Sequence, residues 1–236
     1  MYPSIRHATF GALALAASSA FGQVSYPVEG LNPLVLAGQD QWSVTGVTPA
    51  VNTTVSNTVF SPLASSTQSI KMFGNGTNGR IWRNLGQTLA PGRYLFSFDF
   101  MANDGPGADY IMRIALGPEG QPNSNQATQV YVGNDMTGSD GTLYSGLRSG
   151  NWQNEGGSYS AIFYPNAPLE VDTWYRMDYI LDTNVGVLTG PFVQDISGGS
   201  KNYLYWIPND NGFQSDILEG TIYKTIGMMR LGIDAQ

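Results

Sequence analysis

The sequence predicts an all-β protein, an antiparallel β-sandwich or jelly roll, and three observations carry that expectation. Apolar and polar residues alternate with a period of two, most plainly in Arg93–Met101 (RYLFSFDFM) and Tyr175–Asp182 (YRMDYILD). Such runs recur at close spacing between Gly, Asn and Asp turns, in a chain with 29 Gly and only 12% charged residues. No segment longer than a turn or two has helical periodicity.

The first residues stand apart from that pattern. Arg6 supplies a basic start, Phe10–Ala17 (FGALALAA) an apolar stretch, and Ala20-Phe21-Gly22 a small-x-small cleavage site. Residues 1–22 therefore read as a secretory signal peptide, too short to span a membrane stably, with a single β-sandwich domain over 23–236. The localisation expected is secreted or cell surface, periplasmic or extracellular, with no membrane insertion of the mature chain. The only histidine, His7, would leave with the leader, and there is no cysteine. Without imidazole or thiol the mature chain has no Ser-His-Asp or Cys-His nucleophile, no disulfide and no His/Cys zinc site. Any metal should be a hard cation on oxygen ligands, with a structural calcium the cofactor to expect. The full chain has 11 Lys and Arg against 18 Asp and Glu, a net charge of −7. That balance argues against nucleic acid as a partner.

The elements follow in order. Leu34-Val35-Leu36 begins the sandwich or clasps its edge, and Val47–Gln68 reads as a strand and a long polar loop. Ser69–Asn84 (SIKMFGNGTNGRIWRN) reads as a hairpin, because paired Asn-Gly steps tolerate positive φ. Leu89-Ala90-Pro91-Gly92 turns into Arg93–Met101, where Tyr94, Phe96, Phe98 and Phe100 share one face. A row of four aromatics is the inner face of a sandwich far more often than a ligand platform. Strands are expected at Tyr110–Leu116, Ala127–Val132, Leu143–Trp152 and Tyr159–Tyr164. Leu169–Pro191 is a hairpin turning at Asp182–Gly186. Phe192–Gly199, Asn202–Ile207 and Thr225–Asp234 complete the pattern, after loops that include Asn103–Asp109, Gly133–Thr142 and Pro208–Glu219. Trp42, Trp82 and Trp174 are expected in the core.

Two stretches carry a resemblance. Asp172-Thr173-Trp174-Tyr175-Arg176, with the strand ending Leu181–Gly186, resembles the laminin-G-like segment of concanavalin A-like lectin/glucanase sandwiches. Ala90–Asp99 (APGRYLFSFD) and the closing Arg230–Asp234 are similar to strands of secreted bacterial domains of that superfamily. The resemblance implies a concanavalin A-like sandwich and a bias toward glycan ligands, not an active site.

Candidate chemistry is sparse. Glycoside hydrolysis needs two carboxylates flanking the bond. Glu170-Val-Asp172 begins the Glu-x-Asp pattern of laminarinase-like members, but Trp174 and Tyr175 stand where a further acid belongs. A lyase would need Tyr with Arg or Lys as base and neutraliser. Asp104, Asp109, Asp135 and Asp140 sit in two Gly-rich loops that suit calcium, with Asp234 a further ligand. A carbohydrate platform needs aromatic faces beside amides and charges. Tyr144, Arg148, Asn151 and Trp152 form one such group; Tyr205, Trp206 and Asp210 form another, although adjacent Tyr205 and Trp206 cannot share a face. The function expected is a non-catalytic glycan-binding or cell-surface-associated module. The alternatives are a polysaccharide-active enzyme, glycosidase or lyase, and a structural or adhesive envelope protein.

Overall fold

The aromatic face of Arg93–Met101 must be covered, and in the computed structural model of this chain a second sheet covers it. The structure describes residues 6–17, 24–26, 28–33, 36–44, 53–59, 61–63, 67–74, 79–103, 110–120, 128–137, 143–155, 158–163, 169–184, 187–199, 202–206, 215–216 and 225–235. The strands are β1 (Arg6–Ala17), β2 (Val24–Tyr26), β3 (Ser43–Val44), β4 (Thr53–Ser56), β5 (Ser69–Gly74), β6 (Gly79–Leu89), β7 (Arg93–Asn103) and β8 (Tyr110–Gly117). They continue as β9 (Thr128–Thr137), β10 (Leu143–Glu155), β11 (Ser158–Phe163), β12 (Tyr175–Asp182), β13 (Val187–Asp195), β14 (Asn202–Trp206), β15 (Ser215–Asp216) and β16 (Ile226–Ala235).

One sheet runs β14-β13-β12-β7-β1-β5-β4, with β15 also on β13 and β2 on β1; the other runs β11-β10-β9-β8-β16-β6-β3. Every strand pair is antiparallel. Across the sandwich β10 approaches β15 and β16 approaches β5, so the two strand orders run the same way. The all-β antiparallel expectation holds. Among the described residues no helix is long and apolar enough to cross a membrane.

Alternation sets the core. Along β12 every second residue is buried, starting at Tyr175. Tyr175, Met177 and Tyr179 lie opposite Phe100, Phe98 and Phe96 of β7. The Tyr179 ring stacks 6.2 Å from Phe98 and 6.1 Å from Phe96. Met112, Ile114, Leu116, Val130, Val132, Met229 and Leu231 belong to the same core cluster from the second sheet. Each fully buried side chain of this size stabilises the fold by roughly 1.5–3 kcal/mol. The four-aromatic row is core, as the pattern implies. Trp42 and Trp174 are buried as expected, but Trp82 is only half-buried.

A staple joins two turns. Thr183 donates its backbone N–H to the Gly92 carbonyl at 2.8 Å, and its Oγ1 accepts the Gly92 N–H at 2.9 Å. The turn after β12 is thereby tied to the turn before β7.

One sequence expectation changes. Ser69–Asn84 is not a hairpin: β5 lies in the first sheet and β6 in the second. Asn-Gly chemistry specifies a reversal but not whether the returning strand pairs with the one before it. Residues 6–17, within the stretch read from sequence as a leader, form strand β1, antiparallel to β7 on one side and β5 on the other.

Candidate functional site

The outer face of the second sheet follows from the core residues. Met112, Ile114, Val130, Val132, Met229, Leu231 and Ile81 are core positions, so their neighbours in each strand take the opposite face. Register then lines the outer positions up across strands. Arg230 lies opposite Ala115 of β8 and Trp82 of β6. Gly232 lies opposite Arg113 and Arg80, Arg113 opposite Tyr131, and Tyr131 opposite Gly150. One row further, Arg148 lies opposite Gly133, Gly133 opposite Ile111, and Ile111 opposite Asp234. Trp152, two residues beyond Gly150 on β10 and opposite Ala161 of β11, extends the row that contains Arg230 and Trp82.

These positions combine aromatic residues (Trp82, Tyr131, Trp152) with four arginines (Arg80, Arg113, Arg148, Arg230). Gly133, Gly150 and Gly232 are interspersed among these positions, and Gly133 and Gly232 are buried, as are Ala115 and Met228. Arg113 and Trp82 are half-buried, and Arg230 is only 2% exposed. A guanidinium at such depth acts in a low-dielectric setting, where its field is screened less than at a bare surface.

The outer face of the first sheet is built differently. Arg176 donates from Nε to Asp99 Oδ1 at 2.6 Å and from Nη2 to Oδ2 at 2.9 Å, and Ser61 Oγ donates to Oδ2 at 2.6 Å. Burial acts to lower the Arg176 pKa, but the Asp99 hydrogen bonds, with the charges of Asp99 and Asp178, outweigh it and hold the pKa above the ordinary arginine value. Gln194 Nε2 donates to Asp178 Oδ2 at 2.6 Å. Beside the ion pair, Met101, Trp174 and Ile196 pack under Val59 and Leu63. This face satisfies its polar groups internally, and the segment around Ser61 covers one end of it.

Of the residues singled out from sequence, Arg148, Asn151 and Trp152 lie within β10, not in a loop. Asn151 is opposite the buried Val130, so alternation separates it from Arg148 and Trp152. Tyr144 is opposite Met136, beyond a register shift in the same strand. Tyr205 is opposite Val193 and Trp206 opposite Phe192 on the edge strand β14, taking opposite faces as expected. Asp210 falls outside the described residues, as do Asp104, Asp109 and Asp140. Asp135 lies on β9 and Asp234 on β16, the two neighbours of β8. Among the described residues no group of three or more His, Cys, Asp or Glu is placed to hold a metal.

Asp172 occupies an exposed turn at φ 58°, its N–H bonded to the Ala102 carbonyl at 2.8 Å. The Glu170/Asp172 pair thus belongs to a turn at the entry to β12. Sequence reasoning missed Arg80, Arg113, Arg230 and Tyr131. They lie on four separate strands and meet only through register, the one available signal being their position opposite the core residues in each alternation.

No family model and no curated protein matches the sequence. Among solved structures, the T. cruzi calreticulin globular domain aligns over 84% of this chain and 79% of that one, with a TM-score of 0.49 and 11% identity.

Proposed function

We propose that this chain is a secreted or cell-surface, non-catalytic glycan-binding module of concanavalin A-like type, with the ligand held on the outer face of the second sheet. One observation carries the reading: strand register puts Trp82, Tyr131 and Trp152 at outer-face positions of the same sheet. Sugar rings present C–H faces that pack on aromatic rings, while guanidinium and amide groups bond their hydroxyls. The first sheet offers less, because Arg176, Asp99 and Ser61, like Asp178 and Gln194, are bonded to one another.

Affinity electrophoresis against a panel of soluble polysaccharides tests the reading. Trp152→Ala should weaken retardation about tenfold, the equivalent of ~1.4 kcal/mol and within the range of a single aromatic contact. Trp206→Ala, on the other sheet, should leave it unchanged. The reverse pattern would move the site to the first sheet. Absence of retardation by every glycan in the panel would sink the reading.

A further inference from the structure

The strands on either side of β1 run in the same direction. Residues 6–17 pair antiparallel with β5 on one side and with β7 on the other, so β5 and β7 are parallel to each other. All the described pairs in both sheets are antiparallel, and closing β5 directly onto β7 would create a parallel pair, which is slightly less stable per residue. Their far edges are already taken, β5 by β4 and β7 by β12.

A bridge holds these two strands apart. Ser69 of β5 and Asp99 of β7 each come one residue before the row in which Ile70 and Phe100 lie opposite Phe10, so both take the outer face. Ser69 Oγ donates to the Val59 carbonyl, and Ser61 Oγ donates to Asp99 Oδ2 at 2.6 Å. Ser61, Ser69 and Asp99 are each no more than 1% exposed. The segment around Ser61 therefore spans the position of β1 and keeps β5 and β7 two strand spacings, roughly 10 Å, apart. Asp99 lies between the rows of Phe98 and Phe100, where the register of β1 shifts at Gly11 and Ala12. On the inner side the gap is walled by Ile70 and Met72 of β5 and by Phe96, Phe98 and Phe100 of β7, each no more than 2% exposed. Two fixed sides and an apolar inner face are thus supplied by residues outside 6–17.

The strand seated there shows what fits. Ala8, Phe10, Leu13, Leu15 and Ala17 stand opposite the core-facing Ala102, Phe100, Phe98, Phe96 and Tyr94. From Ala8 to Ala17 no residue is charged. Strand addition draws affinity from main-chain hydrogen bonds and specificity from alternate side chains.

We infer that, in a chain from which residues 1–22 have been removed, the gap between β5 and β7 receives a strand from a partner protein. The strand is extended and uncharged, apolar at alternate positions, and antiparallel to β7 along Tyr94–Asn103. A second copy shortened in the same way has no residues 6–17 to supply. The gap lies in the other sheet from the glycan face and uses only the export part of the proposed function.

The test starts from the full chain, with a protease recognition sequence built into residues 18–23 and cut after folding. The N-terminal fragment should stay bound through gel filtration and be displaced by a labelled peptide of residues 6–17. Leu15→Asp in that peptide sets a carboxylate opposite Phe96 and should weaken displacement at least about tenfold. Ala16→Asp, opposite the exposed Leu95, should compete like the parent peptide. A fragment that leaves while the body keeps the Tm of the intact chain overturns the inference, because β5 and β7 have then closed up. So does a fragment that excess peptide cannot replace, or equal competition by the Leu15 and Ala16 variants. Cut chains that associate with one another once the fragment is gone overturn it in favour of a second copy. Mass spectrometry of the exported chain completes the test: retention of residues 6–17 overturns the inference and leaves glycan retardation, measured separately, untouched.

Discussion

At Asp99 three donors converge on one fully buried carboxylate: two from Arg176 and one from Ser61. Asp99→Asn would leave the Arg176 guanidinium without its counter-charge, and breaking a buried pair on one side costs about 3–5 kcal/mol. Urea unfolding should show that loss as a lower midpoint with an unchanged m-value. Tyr175 gives a prediction with a pH sign. Burial, opposed in part by the Glu170 N–H donated to its hydroxyl at 2.9 Å, raises its pKa above the ordinary tyrosine value. A raised folded-state pKa contributes stability that is fully present below the unfolded value near 10 and is lost as pH rises through the folded value. Tm should therefore fall steeply on the alkaline side, and Tyr175→Phe should flatten that limb while leaving neutral-pH behaviour little changed apart from the lost hydrogen bond. An identical alkaline slope in both proteins would show that Tyr175 titrates in the folded state as it does unfolded.

Among the elements, β7 and β12 hold the centre. Phe98, 1% exposed, lies opposite Met177 and stacks on Tyr179. Phe98→Ala should cost about 3–5 kcal/mol of unfolding free energy by the usual sum of lost transfer energy and cavity. Thr183→Val keeps the shape of the staple to Gly92 but removes its hydroxyl, which should cost about 1–2 kcal/mol because the Gly92 N–H loses its acceptor. Both elements were legible in the sequence. Tyr-Leu-Phe-Ser-Phe-Asp-Phe and Tyr-Arg-Met-Asp-Tyr-Ile-Leu-Asp each declare a strand with one apolar side, and one-sided burial follows from alternation alone. Partner choice was not legible. Nothing local to Ser69–Asn84 says that its two strands belong to different sheets, since pairing depends on contacts far away in the chain. The candidate site suffered more from the same limitation. Trp152 and Arg148 were visible because they sit close together in one run, whereas Arg80, Arg113, Tyr131 and Arg230 acquire a common face only when four strands settle in register. Asn151 looked like a partner of Trp152 through proximity in sequence, which in a strand is what sends two side chains to opposite faces.

For the molecule as a whole, the decisive feature is the position of Arg6–Ala17. Phe10 of this strand lies opposite both Phe100 of β7 and Ile70 of β5, and Val24–Tyr26 folds back on its second half. A segment so placed cannot be both cut away and paired in the same molecule. The chain over 23–236 would bring β7 and β5 to face each other with unpaired edges about two strand spacings, or roughly 10 Å, apart. Its Tm should lie below that of the full chain, and a synthetic peptide of residues 6–17 should raise it. A truncated chain as stable as the full one and indifferent to the peptide would mean that β5 and β7 pair directly. Time gives this arrangement its edge. During synthesis at about 5–20 residues per second, β7 emerges on the order of ten seconds after β1. In that interval β2 and then β5 emerge, so the future middle of the sheet has its short return strand and one flank before its other flank exists. The last strand of the sheet's centre to reach these dozen residues is β7.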